Sequence, residues 1–275
     1  DFGNQGRLPS HPKLLDWLSN YFMDNDWDIK KLHKKILSSA TFKQASKRRE
    51  DLVNIDPENY LLAKGPSHRM SAEMIRDNAL KVSELLVPKI GGKSVYPYQP
   101  SGLWDLSDKS WRYRYQRDKD ENLYRRSLYT FWKRSAPPPS MLIFDTPNRD
   151  LCSVKRTLTS SPLQALLLLN DPQFIEAARV MAENSILSKE KSIDKKLSTL
   201  FRKIIGRTIR VGELEILLRF YNEEKEKFSK NQSKALAYLK TGEKPINSKI
   251  EVVNMAALAT VISGMMNTAE AITIN

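Results

Sequence analysis

A mainly α-helical domain with a small β or irregular element inserted in its middle is what this sequence predicts, and three observations predict it. Apolar residues recur every three or four positions through both ends of the chain, behind capping residues and prolines suited to a first helical turn. Between them lies a stretch punctuated by Gly91, Gly92, Pro97, Pro100, Gly102 and Pro137-Pro138-Pro139, dense in Tyr and Trp. The composition, 40% hydrophobic and 28% charged over 275 residues, supports a packed core and excludes a disordered chain. One domain over 1–275 is expected, with N-terminal helices in 1–88, the β or irregular insertion in 89–157 and C-terminal helices in 158–275.

The elements follow in order. Pro12 suits a first turn, and Leu15, Leu18 and Phe22 fall at helical spacing in 12–24. In 28–40, Asp28 is placed to cap while Ile29, Leu32 and Ile36 line one face and Lys30, Lys31, Lys34 and Lys35 the other, so these two helices should pair. Ser71 opens a third helix with Glu73 at its positive end and Ile75, Ala79, Val82 and Leu86 as a buried stripe up to Pro88. Residues 125–133 are aromatic and β-rich enough for a strand, with a partner expected near Trp111–Tyr115. Ser161-Pro162 and Asp171-Pro172 each read as a cap followed by proline, which predicts a helical hairpin over 162–169 and 172–187. Further helices are expected at 193–205, 211–228, 231–240 and 248–268. The run from Met255 to Met266 is shorter than the ~20 apolar residues needed to cross a bilayer, so it reads as a core helix and no transmembrane segment is expected.

Forty-five Lys and Arg against thirty-two Asp and Glu leave a net charge of +13, concentrated in 189–250. There lysines alternate with acids in the manner of solvated helix faces, and nucleic-acid motifs are absent, so nucleic acid ranks last among partners. One cysteine, Cys152, excludes a disulfide scaffold, and without Cys-x-x-Cys-His no haem attaches covalently to this segment. No signal peptide is visible. Asp1-Phe2-Gly3 lacks the loops a kinase needs, and Gly92-Lys93-Ser94 lacks the upstream glycine of a phosphate loop.

His11, His33 and His68 have no metal-ligand spacing, so no metal site is expected. His11 begins a helix and is a candidate acid-base group, although capping or packing explains it as well. Asp145 and Asp150 could form a carboxylate pair for acid-base work or a cation site, or could organise turns and pair with arginine. Arg69, Glu73, Arg76 and Asp77 place alternating charges on one side of the third helix, where burial would lock helix to loop. Arg125, Arg126, Lys133 and Arg134 flank the aromatic run that includes Trp132, and Arg149 and Arg156 flank Cys152. Such interleaving suits an anion- or sugar-binding face, because guanidinium forks hold carboxylate or sulfate while aromatic rings stack on sugars. A structural network of Arg, Asp and Tyr is the competing explanation.

The strings HPKLLDWL (11–18), LHKKILSSATFKQ (32–44), DPENYLLAKGPSHRMSAEMIRDNAL (56–80), KIGGKSVYPYQPSGLW (89–104), LYRRSLYTFWKRSAPPPSMLIFDTPNRDLCSVKRT (123–157) and SPLQALLLLNDPQFIEAARVMAE (161–183) resemble the planctomycete secreted domain family of unknown function. Tyr60, His68 and Ser160-Ser161 depart from the pattern of that family. The resemblance implies a C-terminal module of an exported protein at the periplasm or cell surface, with a haem-bearing cytochrome c domain upstream in the same polypeptide. It carries no catalytic residue. The expected function is a non-catalytic module binding a partner domain or an anionic polysaccharide. The alternative is a glycan-active or redox-coupled enzyme using Asp145 and His11.

Overall fold

The helices begin where their capping residues stand. The computed structural model describes residues 3–46, 50–104 and 115–274, and the fold is mainly α-helical. Asp28 accepts the backbone N–H groups of Lys30 and Lys31 and starts α2 (Ile29–Ser38), which follows α1 (Pro12–Asp24). After the short α3 (Glu50–Val53) and β1 (His68–Arg69), Ser71 caps α4 (Ala72–Val82) through Met74 N–H. The helix stops at Val82, so Leu86, the expected end of the buried stripe, lies beyond it and is half-buried against the core. The Ser83 hydroxyl there donates to Ala79 O at 2.8 Å, and Glu84 turns left-handed at φ 65°.

The chain divides into two compact units, one running to His68 and taking in Thr273 and Ile274, the other covering Arg69–Ile272. The first unit is built on α1 and α2, which pack side by side with the Lys35 ammonium over the Trp17 ring at 5.5 Å. Neither helix buries a residue. Leu14, Leu15, Trp17, Trp27 and Ile29 stay exposed, Trp27 by 64%. Asp56 holds the turn after α3 by accepting Tyr60 and Leu61 N–H at 2.7 Å.

The second unit has a dense core. Its C-terminal helices are α7 (Pro162–Asn170), α8 (Pro172–Leu187), α9 (Ile193–Ile205), α10 (Val211–Lys230), α11 (Gln232–Leu239) and α12 (Val252–Met266), following the short α5 (Asp120–Leu123) and α6 (Pro139–Ile143). Asp171 caps α8 and Gly206 ends α9 at φ 87°, a left-handed position that glycine adopts without strain. The apolar run in α12 is the centre of this core: it packs on α8, α10 and α11, and Met255, Ala256, Ala257, Ala259, Val261 and Ile262 are wholly buried. Its small residues let neighbouring helices approach; a Cβ on Gly264 would already meet the Phe220 ring at 3.3 Å. No helix among the described residues is long and apolar enough to cross a membrane. Thr273–Ile274 forms β2, which pairs with β1.

The middle segment is irregular, and the strand predicted over 125–133 does not form. Ser127–Tyr129 is a 3-10 turn flanked by isolated parallel bridges, Val87 with Arg125 and Val95 with Thr130. The reason lies in what holds its backbone. Asp77 accepts Ser127 N–H at 2.7 Å and Arg76 donates to Arg125 O at 2.7 Å, so groups that a ladder would use are already engaged. Most of the strand partner expected near Trp111–Tyr115 lies outside the described residues; the Tyr115 hydroxyl donates to Pro97 O. Tyr96, Trp104, Tyr115 and Phe131 gather instead into an aromatic cluster, with Tyr96 stacked on Phe131 at 5.0 Å.

An ion triad fastens the start of α10. Arg207 holds Glu213 with two hydrogen bonds of 2.7 and 2.8 Å and Glu270 with two more of the same lengths. Hydrogen bonding from Arg207 lowers both carboxyls, Glu213 to about 2. A carboxyl lowered on folding contributes stability above its ordinary pKa and loses it as pH falls through the folded value. Arg207→Ala should therefore cost about 1 kcal/mol near neutrality, the groups being partly exposed. In urea unfolding over a pH series, this deficit should shrink as pH drops from 4.5 toward 2.

Candidate functional site

Helical periodicity places Glu73, Asp77 and Lys81 four residues apart along one side of α4, and that side forms a wall of an open cleft of about 860 Å³ in the second unit. The rest of the lining comes from Arg126, Ser127 and Leu128 at the start of the 3-10 turn, and from Arg149 and Arg156 in the loop that follows α6. Lys81, Arg126, Arg149 and Arg156 face this cleft against two carboxylates, Glu73 and Asp77.

Each charge is positioned differently. Arg156 Nη1 lies 2.6 Å from Glu73 Oε2. Burial pushes the Glu73 carboxyl up, but hydrogen bonding from Arg156 and the backbone together with the Arg156 charge leave it below the ordinary carboxylate value. Arg126 stands 3.8 Å from Asp77 Oδ2 and remains about half exposed, while Ser127 N–H occupies the other Asp77 oxygen. Arg149 has no carboxylate partner among the described residues; its guanidinium lies over the Trp132 ring at 4.5 Å. Trp132 is held by its own N–H, which donates to Asn148 O at 3.1 Å. Arg149 sits at φ 68°, a left-handed backbone that costs a non-glycine residue about 1 kcal/mol and that here turns it onto the tryptophan.

The remaining candidates are dispersed or already engaged. Arg125 is 2% exposed; its fork donates to Lys89, Gly91 and Lys93 carbonyls and its guanidinium stacks on Tyr129 at 3.9 Å, so it binds the loop together. Lys133 lies over the Trp104 ring at 4.7 Å, and Arg134 is exposed; neither lines the cleft. Asp145 is bonded on both oxygens: Arg69 donates to one, and Thr159 donates its N–H at 2.8 Å to that oxygen and its hydroxyl at 2.8 Å to the other. Of the alternatives weighed for it, arginine pairing describes the first of these contacts, and the Thr159 bonds tie together loop positions fourteen residues apart. Asp150 is exposed, and its N–H donates to Asn148 Oδ1. His11 lies in the first unit as the residue preceding α1, sharing a hydrogen bond with Ser10 Oγ at 3.0 Å and making no side-chain cap. No group of His, Cys, Asp or Glu among the described residues is arranged to hold a metal.

Three of the arginines singled out in the sequence, Arg126, Arg149 and Arg156, thus share one cleft. Lys81 was missed, although its position eight residues after Glu73 on the same helix carried the signal. Chemically, the cleft offers guanidinium forks for oxyanions beside an edge of apolar surface from Met74, Leu86 and Leu128. A family model described as a protein of unknown function (DUF1553) matches residues 1–221. No curated protein and no solved structure matches the chain.

Proposed function

We propose, for a chain that belongs to the DUF1553 family, a non-catalytic binding module that takes an anionic polysaccharide into the cleft of Arg126, Arg149 and Arg156. The observation that carries this reading is the convergence of three guanidiniums from separate stretches of chain on one open cleft where cations outnumber carboxylates. The two acids do not cancel the site. They hold Arg126 and Arg156 in place while leaving Arg149 without an ion partner among the described residues, so an incoming sulfate or carboxylate meets preset donors. Asp145, with its oxygens engaged by Arg69 and Thr159, supports a binding reading over a catalytic one.

The wider setting belongs to the same proposal: an exported polypeptide at the periplasm or cell surface, with further domains upstream, one of them carrying haem c. A partner domain has its own support. The helices of the first unit leave Leu14, Leu15, Trp17 and Ile29 in water, where an upstream domain would cover them.

Titration with dextran sulfate and polygalacturonate against neutral dextran tests the cleft. Saturable binding of at least one anionic polymer and none of neutral dextran is expected. Arg149→Ala and Arg156→Ala should each weaken it by about tenfold, with Arg134→Ala near neutral. Binding that is unchanged in both cleft variants, or that follows only polymer charge and vanishes at moderate salt, would reduce the effect to nonspecific attraction by a basic protein.

A further inference from the structure

A second cleft in the unit Arg69–Ile272 has a different chemical character. It encloses about 550 Å³ beside α7 and the start of α8. One wall is aliphatic, formed by Leu163, Leu166 and Leu167. Leu163 and Leu166 remain 53% and 56% exposed, which leaves branched alkyl groups facing water on a helix that buries Gln164 and Leu168. Neither Trp nor Phe lines the cleft, and the one aromatic face, that of Tyr98, is covered by the Arg117 guanidinium at 5.0 Å. A sugar would find no open ring to stack on here; an alkyl chain finds a wall of its own kind.

The carboxylate in the lining is Asp171, beside Gln99, Asn170 and Thr241. As the cap of α8 it accepts Gln173 N–H at 2.9 Å through one oxygen. Among the described residues it makes no ion pair. Arg117, at the rim, is already paired with Glu243. Arg76 acts on Asp171 only at a distance, its nitrogens being committed to Gln173, Leu123 and Arg125. Burial outweighs the cap bond and the Arg76 charge and raises the Asp171 carboxyl above its ordinary value, as expected of an anion with too few partners. We propose that this cleft binds an aliphatic ammonium ion, its alkyl chain along Leu163, Leu166 and Leu167 and its ammonium on Asp171.

Hexylammonium, hexanoate and hexanol titrated into the full chain and followed by methyl NMR test the assignment. Saturable shifts at Leu163, Leu166 and Leu167 are expected with hexylammonium, at an affinity at least about tenfold above hexanoate. Asp171→Asn removes the charge while asparagine still caps a helix, so the variant should melt near wild type and lose the preference for the cation. Leu166→Ser, at an exposed position, should weaken hexylammonium and hexanol alike. Absence of saturable shifts, equal binding of hexanoate, a preference that survives Asp171→Asn, or unchanged hexylammonium binding in Leu166→Ser would each overturn the proposal. If Asp171→Asn fails to fold, the hexanoate comparison and Leu166→Ser still decide it.

Discussion

Arg76→Met should destabilise the protein by about 3–5 kcal/mol, because it deletes a buried cation and orphans the groups built around it. Arg76 leaves α4 only 4% exposed. Its Nε donates to Gln173 Oε1 at 2.6 Å, Nη1 to Arg125 O at 2.7 Å and to Ser127 Oγ at 3.2 Å, and Nη2 to Leu123 O at 2.8 Å. Burial lowers the guanidinium to about 10, so the protein carries this charge at a cost that only the complete set of hydrogen bonds offsets. Methionine preserves much of the stem and leaves four acceptors without their donor. Lysine would rescue part of the loss, since one ammonium cannot reproduce a planar fork that reaches helix and loop together. Urea unfolding measures the effect; a loss below about 1 kcal/mol would mean that the loop is held elsewhere. The same substitution should also weaken anion binding, because Arg126 is carried on the segment that Arg76 anchors.

Glu176→Gln is expected to cost a similar ~3–5 kcal/mol and to lower the melting temperature by on the order of 10 °C. Glu176 is fully buried on α8 and only accepts. Tyr124 hydroxyl at 2.9 Å, Glu243 N–H at 2.8 Å and Lys244 N–H at 2.7 Å share Oε1, and Tyr98 hydroxyl takes Oε2 at 2.9 Å. An amide would turn an N–H toward donors. It would also leave Arg179, wholly buried with a nitrogen 3.7 Å from Oε1, short of compensating charge. Gly242 completes the arrangement at φ 102°, and a Cβ there would lie 2.5 Å from the Glu176 carboxyl carbon. Gly242→Ala should therefore destabilise in the same direction, through both backbone conformation and overlap. Thermal unfolding with unchanged melting in both variants would refute the role assigned to this carboxylate.

Much of the helical frame was legible because its signals are local. Asp28, Ser71 and Asp171 cap the helices they were expected to cap, and the run 255–266 supplies the core. The arginine-rich middle was legible only in part. Aromatic neighbours single out Arg125 and Arg126 equally, yet one is consumed by carbonyls of 89–93 and the other opens onto the cleft. Adjacent residues entering a 3-10 turn point to different sides, and nothing in the sequence says which side is solvent. The strand expected at 125–133 fails for a related reason: its backbone groups are claimed by Asp77 and Arg76, fifty residues upstream. The leucine-walled cleft was invisible because its lining spans Tyr98 to Gly242 and no periodicity links those stretches.

One consequence of the core helix concerns synthesis. α12 is translated after α8, α10 and α11, the helices that pack against it. At ~5–20 residues per second, a nascent chain passes through an interval in which those neighbours have left the ribosome with their inner sides still wet. The second unit can seal only after Met266 emerges, and until then the apolar sides of those helices stay open to association.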